Sequence, residues 1–234
     1  MRYPEKTALP EPLPPERRTV GQLIAESIKL YQSHFWWALL LGLVAIPPDL
    51  LALALGTSKK HFWHAAANNA LVGLAQTPLF SAAFVGATLI LLGRRSRSRI
   101  LRAYLLAVLL YLPVSLLIVG LVLPALAWLA FVGLAVPALV VEGGGLGHAL
   151  ARGVDLARAD YAHVLGGICA LVILALLCRG VLAALLHGES GTAAATAGIV
   201  ADVILYPLVF LGSALLYVDQ EARLRLRAAA PVTA

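Results

Sequence analysis

Three charged residues stand where charge is expensive: Asp49, Arg179 and Asp202 each interrupt a long apolar stretch. A charge at the centre of a membrane helix costs about 2.5–3.5 kcal/mol on insertion scales, so such side chains turn toward protein or water rather than lipid. Their chemistry is that of an ion pair or a polar binding site. Counting along the apolar stretches puts all three at a comparable depth, which predicts that Arg179 pairs with Asp202, with Asp49 nearby, in the outer part of a helix bundle. The competing reading has Arg179 snorkelling to the outer headgroups and Asp202 bonding backbone or water.

Other residues of chemical interest carry weaker signals. His61-Phe-Trp-His64 and His187-Gly-Glu189 contain donor types that zinc accepts. Nothing in the sequence brings these two stretches together, and Phe62-Trp63 reads equally well as an interface anchor. Ser213 follows Gly212 with no base in a neighbouring apolar stretch, so small residues for helix packing are the better reading. Gly143-Gly-Gly145 lacks the Lys-Ser/Thr of a phosphate loop and reads as a turn. Cys169 and Cys178 lie nine apart in one apolar run, about 13 Å along a helix, too far for a disulfide. No catalytic constellation is recognisable; no enzyme activity, cofactor or metal is expected.

The elements that must carry these residues follow from composition. Of 234 residues, 61% are hydrophobic and 13% charged, against about 25% charged in an ordinary soluble domain. Mean hydropathy is +0.88. A single globular core of this length cannot bury that excess. The chain is expected to be an all-α polytopic membrane protein, which excludes a nucleic-acid-binding domain and a secreted disulfide scaffold. No signal peptide is expected, because the start is Pro-rich and polar.

Residues 1–18 hold Pro4, Pro10, Pro12, Pro14 and Pro15 among charges and read as a flexible tail. Residues 19–222 form one transmembrane helical domain, and 223–234 a C-terminal tail. Thr19 and Gln22 have capping-box spacing, and an amphipathic helix follows to about residue 34. A second amphipathic segment spans 146–160. Between and after them, apolar stretches of about 20 residues predict six spans, near 35–55, 70–92, two within 103–141, 162–186 and 196–218. Pro47-Pro48-Asp49 should kink or break the first. The 39 uncharged residues of 103–141 should turn near Gly120–Pro124.

Orientation follows from Arg and Lys. With both termini in the cytoplasm, the inner side receives Arg2, Lys6, Arg17, Arg18 and Lys29, then Arg94, Arg95, Arg97, Arg99 and Arg102, then Arg152 and Arg158, and finally Arg223, Arg225 and Arg227. Only Lys59 and Lys60 fall outside, a strong positive-inside asymmetry. Arg94, Arg95, Arg97 and Arg99 read as topological anchors or as contacts to anionic lipid headgroups. An offset of 126 residues aligns Gly21 with Gly147, Ala25 with Ala151, Phe84 with Phe210 and Gly86 with Gly212. That pattern fits a parallel internal repeat.

Three stretches resemble a family of bacterial multi-pass proteins named after the membrane domain of glycerophosphodiester phosphodiesterases. They are Arg18-Thr-Val-Gly-Gln-Leu-Ile24 leading to Leu30-Tyr31, Val136-Pro-Ala-Leu-Val-Val-Glu142-Gly143 followed by Ala149-Leu150-Ala-Arg152, and Leu215-Leu-Tyr-Val-Asp219 with trailing arginines. The chain departs from the family pattern at Gly153-Val154, where Ser-Trp is usual, and at Gln220, where Leu is usual. The resemblance implies a hinge at Pro137–Glu142, with the Glu142 carboxylate bonding the start of the 146–160 helix. It implies no phosphodiesterase activity, which belongs to an appended soluble barrel. The expected role is a non-enzymatic accessory or scaffold protein of the bacterial inner membrane, touching lipid, anionic headgroups and a membrane-protein partner or a second copy of itself. The alternative is a transporter or lipid-translocating protein using a polar site at the Pro47-Pro48-Asp49 break.

Overall fold

The computed structural model describes residues 13–56, 62–93, 96–117, 121–186, 188 and 191–229. Among them there is no strand. Six helices are long and apolar enough to cross a membrane, and two further helices are amphipathic. This is an all-α membrane protein.

Helix α1 (Val20–Ser33) starts at the expected capping box: the Thr19 amide donates to Gln22 Oε1 at 3.1 Å, and the Gln22 amide donates to Thr19 Oγ1 at 3.3 Å. Order begins earlier than expected, because Pro15–Arg17 forms a 3-10 turn against the C-terminal helix. Residues 1–12 of the expected flexible tail lie outside the described residues.

The first span is broken as its prolines require, but one turn upstream of them. Helix α2 (Phe35–Gly42) passes through a 3-10 turn, Leu43–Ala45, into α3 (Ile46–Leu55). Pro47 and Pro48 sit in the first turn of α3, where their missing amides cost nothing, and the chain before them absorbs the distortion. Helix α4 (Phe62–Leu92) begins eight residues before the expected 70, since Ala66, Ala67 and their neighbours extend it.

The uncharged stretch splits as expected into α5 (Arg97–Leu117) and a second span, itself broken into α6 (Val122–Val132) and α7 (Ala135–Val141). Pro137 has no amide to give to the Gly133 carbonyl. The Val136 amide reaches that oxygen instead, at 3.3 Å. The bend therefore lies at Gly133–Leu134, upstream of the expected Pro137–Glu142 hinge. Gly143 and Gly144, both at positive φ, turn the chain into α8 (Leu146–Ala159). Helix α9 (Tyr161–Leu185) starts at Asp160, whose side chain caps the His163 amide at 3.1 Å. Helix α10 (Gly191–Ala229) does not end near 218 but carries its arginines outward on a continuous helix.

The amphipathic helices α1 and α8 are each 14 residues long and start 126 positions apart, and their buried positions coincide at Leu23 with Ala149 and Ser27 with Gly153. Each is followed at once by an apolar span, at Phe35 and at Tyr161. The lipid-facing character is plain in α9, where only 11% of the most apolar window is buried in protein. Inside, backbones approach closely at small residues. A Cβ on Gly42 would fall 1.8 Å from the Val203 carbonyl oxygen, and one on Gly153 would fall 2.5 Å from the Ala135 amide. The missing side chain at Gly153 is what lets α8 seat on the start of α7.

Candidate functional site

Alternating directions of the spans place two ionic clusters at opposite ends of the bundle, about 25 Å apart along α10 from Asp202 to Asp219 at ~1.5 Å per residue.

The first cluster is the expected one. Arg179 on α9 donates to Asp202 on α10, whose side chain is 4% exposed while that of Arg179 is 47% exposed. The guanidinium pairs with Asp202, as the first of the two readings expects, and keeps part of its surface exposed. Asp49, in the first turn of α3, joins them through direct interaction with Asp202. The N-terminal end of α3 favours a carboxylate there. The Asp49 Oδ2 is buried and has no hydrogen-bond donor. Tyr206, one turn beyond Asp202, lays its hydroxyl against Arg179 and packs edge-on against Phe80 at 4.9 Å between ring centroids.

Arg179, Asp202 and Tyr206 of this cluster, but not Asp49, line a cavity of about 390 Å³ between α4, α5, α6, α9 and α10. Its walls are mostly apolar, formed by residues such as Phe84, Leu126, Ile168, Val172 and Val209. Gln76, Thr77, Ser115, Arg179, Asp202 and Tyr206 supply the polar part. An apolar chamber of this size with a few convergent polar groups is the usual form of a small-molecule site. The sequence pointed to the charges but not to the chamber, which arises from the bend at Gly133 and from the rotation of five helices about their axes.

The second cluster was missed. Asp219 is completely buried, pairs with Arg18 and lies 3.5 Å from His163 Nε2. Arg223 bonds Asp160 and donates to the Arg18 carbonyl at 2.8 Å. The segment before α1 is thus tied to the N-terminus of α9 and the end of α10. Nothing in the types of Arg18 and Asp219 pairs residues 201 apart.

Glu142 does not bond the start of α8 as expected. It accepts from Arg152 Nε at 2.8 Å, in the second turn of α8, and from the Tyr217 hydroxyl at 3.2 Å. The hydrogen bond that Arg152 donates to Glu142 is the largest influence raising the Arg152 pKa. The start of the α8 turn is held instead by Arg102, which donates to the Gly144 carbonyl at 2.8 Å.

Of the arginines assigned to lipid headgroups, Arg94 and Arg95 lie outside the described residues. Arg99 stacks beside Gly143 and is half-buried. Arg97 is exposed and rims a surface groove with Gly86, Leu89 and Tyr104. His61, His187 and Glu189 lie outside the described residues, while His64 is exposed. Cys169 and Cys178 are free thiols on α9. No protein-family model, no curated protein and no solved structure matches this chain.

Proposed function

We propose that this membrane protein holds one amphiphile in its central cavity and serves as a non-catalytic lipid-handling protein. The observation that carries this reading is the chamber of about 390 Å³, apolar along its walls and charged at one end. An acyl or alkyl chain fits the walls, and a polar head fits the Arg179–Asp202 end. The reading favours the lipid-handling alternative over a pure scaffold, because a chamber that joins apolar walls to a charged end is the form of a ligand site. It moves the site from the proline break to the cavity lined by Arg179 and Asp202. The resemblance to the phosphodiesterase membrane-domain family agrees with a membrane module without chemistry of its own.

Filling the chamber tests this. Ala175→Phe on α9 and Val209→Phe on α10 enter it from adjoining walls. Native mass spectrometry of the detergent-purified protein is expected to find one retained lipid per chain in wild type and none in either filled variant. Equal lipid retention in all three would overturn the cavity as the site and leave the scaffold reading.

The reading also includes an orientation: a bacterial inner membrane, both termini cytoplasmic, and α1 and α8 lying against anionic headgroups. It is supported by the fifteen-to-two distribution of basic residues and by the ionic cluster of Arg18, Arg152 and Arg223 at the same end. Reporter fusions at residue 97 and at the C-terminus should read cytoplasmic, and one at Gly188 external. A cytoplasmic signal at Gly188 would contradict the orientation.

A further inference from the structure

The charge balance and hydrogen-bond inventory of the cavity narrow its occupant. Two carboxyls, Asp49 and Asp202, face one guanidinium, and that guanidinium is already engaged by Asp202 and Tyr206. Two of the hydroxyls that line the chamber spend their protons on the backbone. Thr77 Oγ1 donates to the Gly73 carbonyl at 2.9 Å, and Ser115 Oγ donates to the Leu112 carbonyl at 2.8 Å. Each therefore presents lone pairs rather than a proton. Asp202 presents a buried carboxylate to the chamber, and directly behind it the Asp49 Oδ2 is buried without a donor. A buried acceptor left in that state is costly. The charged end of the chamber thus carries one more carboxyl than cation and opens onto apolar walls, where Gln76, Tyr111 and Ser213 add neutral polar groups.

We infer that the cavity selects an amphiphile whose polar group is a primary ammonium, its N–H donors directed to the Asp202 carboxylate, with Asp49 next to Asp202 outside the lining, and its chain lying along Phe84, Leu126 and Val172. This rests on the cavity-binding reading above and adds the identity of the head. An anionic head would have to displace Asp202 from Arg179 and would meet two carboxyls. A trimethylated ammonium brings the charge without donors. Arg179, half exposed at the mouth, remains free on its outer side to meet a phosphate if the ammonium belongs to a phospholipid.

The test uses the full chain in maltoside detergent, with thermal unfolding followed by tryptophan fluorescence during titration. Four single-chain probes of one chain length are compared: lysophosphatidylethanolamine, lysophosphatidylcholine, lysophosphatidylglycerol and the matching alkylamine. The ethanolamine lipid should bind at least about tenfold more tightly than the choline lipid, the loss expected for hydrogen bonds to charged acceptors. The glycerol lipid should bind most weakly. If the alkylamine equals the ethanolamine lipid, the ammonium alone is recognised; if it is weaker, the phosphate adds a contact with Arg179. Asp49→Asn keeps the shape of the side chain, and its unfolding without ligand should stay within a few degrees of wild type. In that variant the preference for ethanolamine over choline should vanish while chain-dependent binding persists. Preference for the anionic lipid, equal affinity for all heads, or an unchanged preference in Asp49→Asn would each overturn the inference and leave cavity binding standing. Binding of none of the four probes would instead remove the cavity reading itself.

Discussion

Arg179→Leu should destabilise the detergent-purified protein by about 3–5 kcal/mol, the usual consequence of leaving a buried charge without its partner. Asp202 is then stranded at 4% exposure with Asp49 beside it. Asp202→Leu should cost less, about 1–2 kcal/mol, because the guanidinium it leaves behind is already half exposed. The double Leu variant should recover much of the larger loss, since an apolar pair of similar volume often replaces a buried ion pair without penalty. At about 2–4 °C per kcal/mol for a chain of this size, Arg179→Leu lowers Tm by roughly 10 °C. The order of the two single variants is the sharper part. Equal losses, or losses that simply add in the double variant, would show that no energetic coupling joins the two residues.

Arg18→Leu should produce a loss of similar size at the opposite end. It leaves Asp219, fully buried, with the His163 imidazole 3.5 Å away. About 3–5 kcal/mol is expected, with Asp219→Asn milder because the amide still accepts from Arg18. The two ionic clusters are then separable by where the structure loosens. In Arg18→Leu, hydrogen exchange should accelerate through residues 20–33, because Arg18 ties the start of α1 to α10 and, through Arg223, to Asp160. In Arg179→Leu the same amides should remain protected. Unchanged exchange across α1 in Arg18→Leu would mean that Leu23, Ser27 and their contacts hold the helix without the ionic latch.

What the chain's order of residues already contained can be judged element by element. The spans were legible because about 20 apolar residues are a length requirement, and the first amphipathic helix because Val20, Leu23, Ile24, Ile28 and Tyr31 recur at helical spacing while Gln22, Glu26, Lys29 and Gln32 take the other face. The capping box was legible because Thr19 and Gln22 satisfy each other within one turn. The pairing of Arg179 with Asp202 was legible too, since burial of a lone charge is so costly that depth and a short connection suffice to match partners.

The remainder was decided only in three dimensions. Helices such as α9 are apolar all round, so no periodicity in their sequence tells which face meets protein and which meets lipid. The cavity depends on that rotation in five helices at once, and on a bend that Pro137 causes four residues before itself at Gly133. Arg18 meets Asp219, and Glu142 meets Arg152 and Tyr217, through helix crossings that no spacing rule encodes. By itself the sequence determined what must be buried and what must span, because these follow from local hydrophobicity and backbone hydrogen bonding. Which buried groups meet, and the chamber they enclose, depended on packing between elements distant in the chain, where close approach at Gly42 and Gly153 sets the geometry.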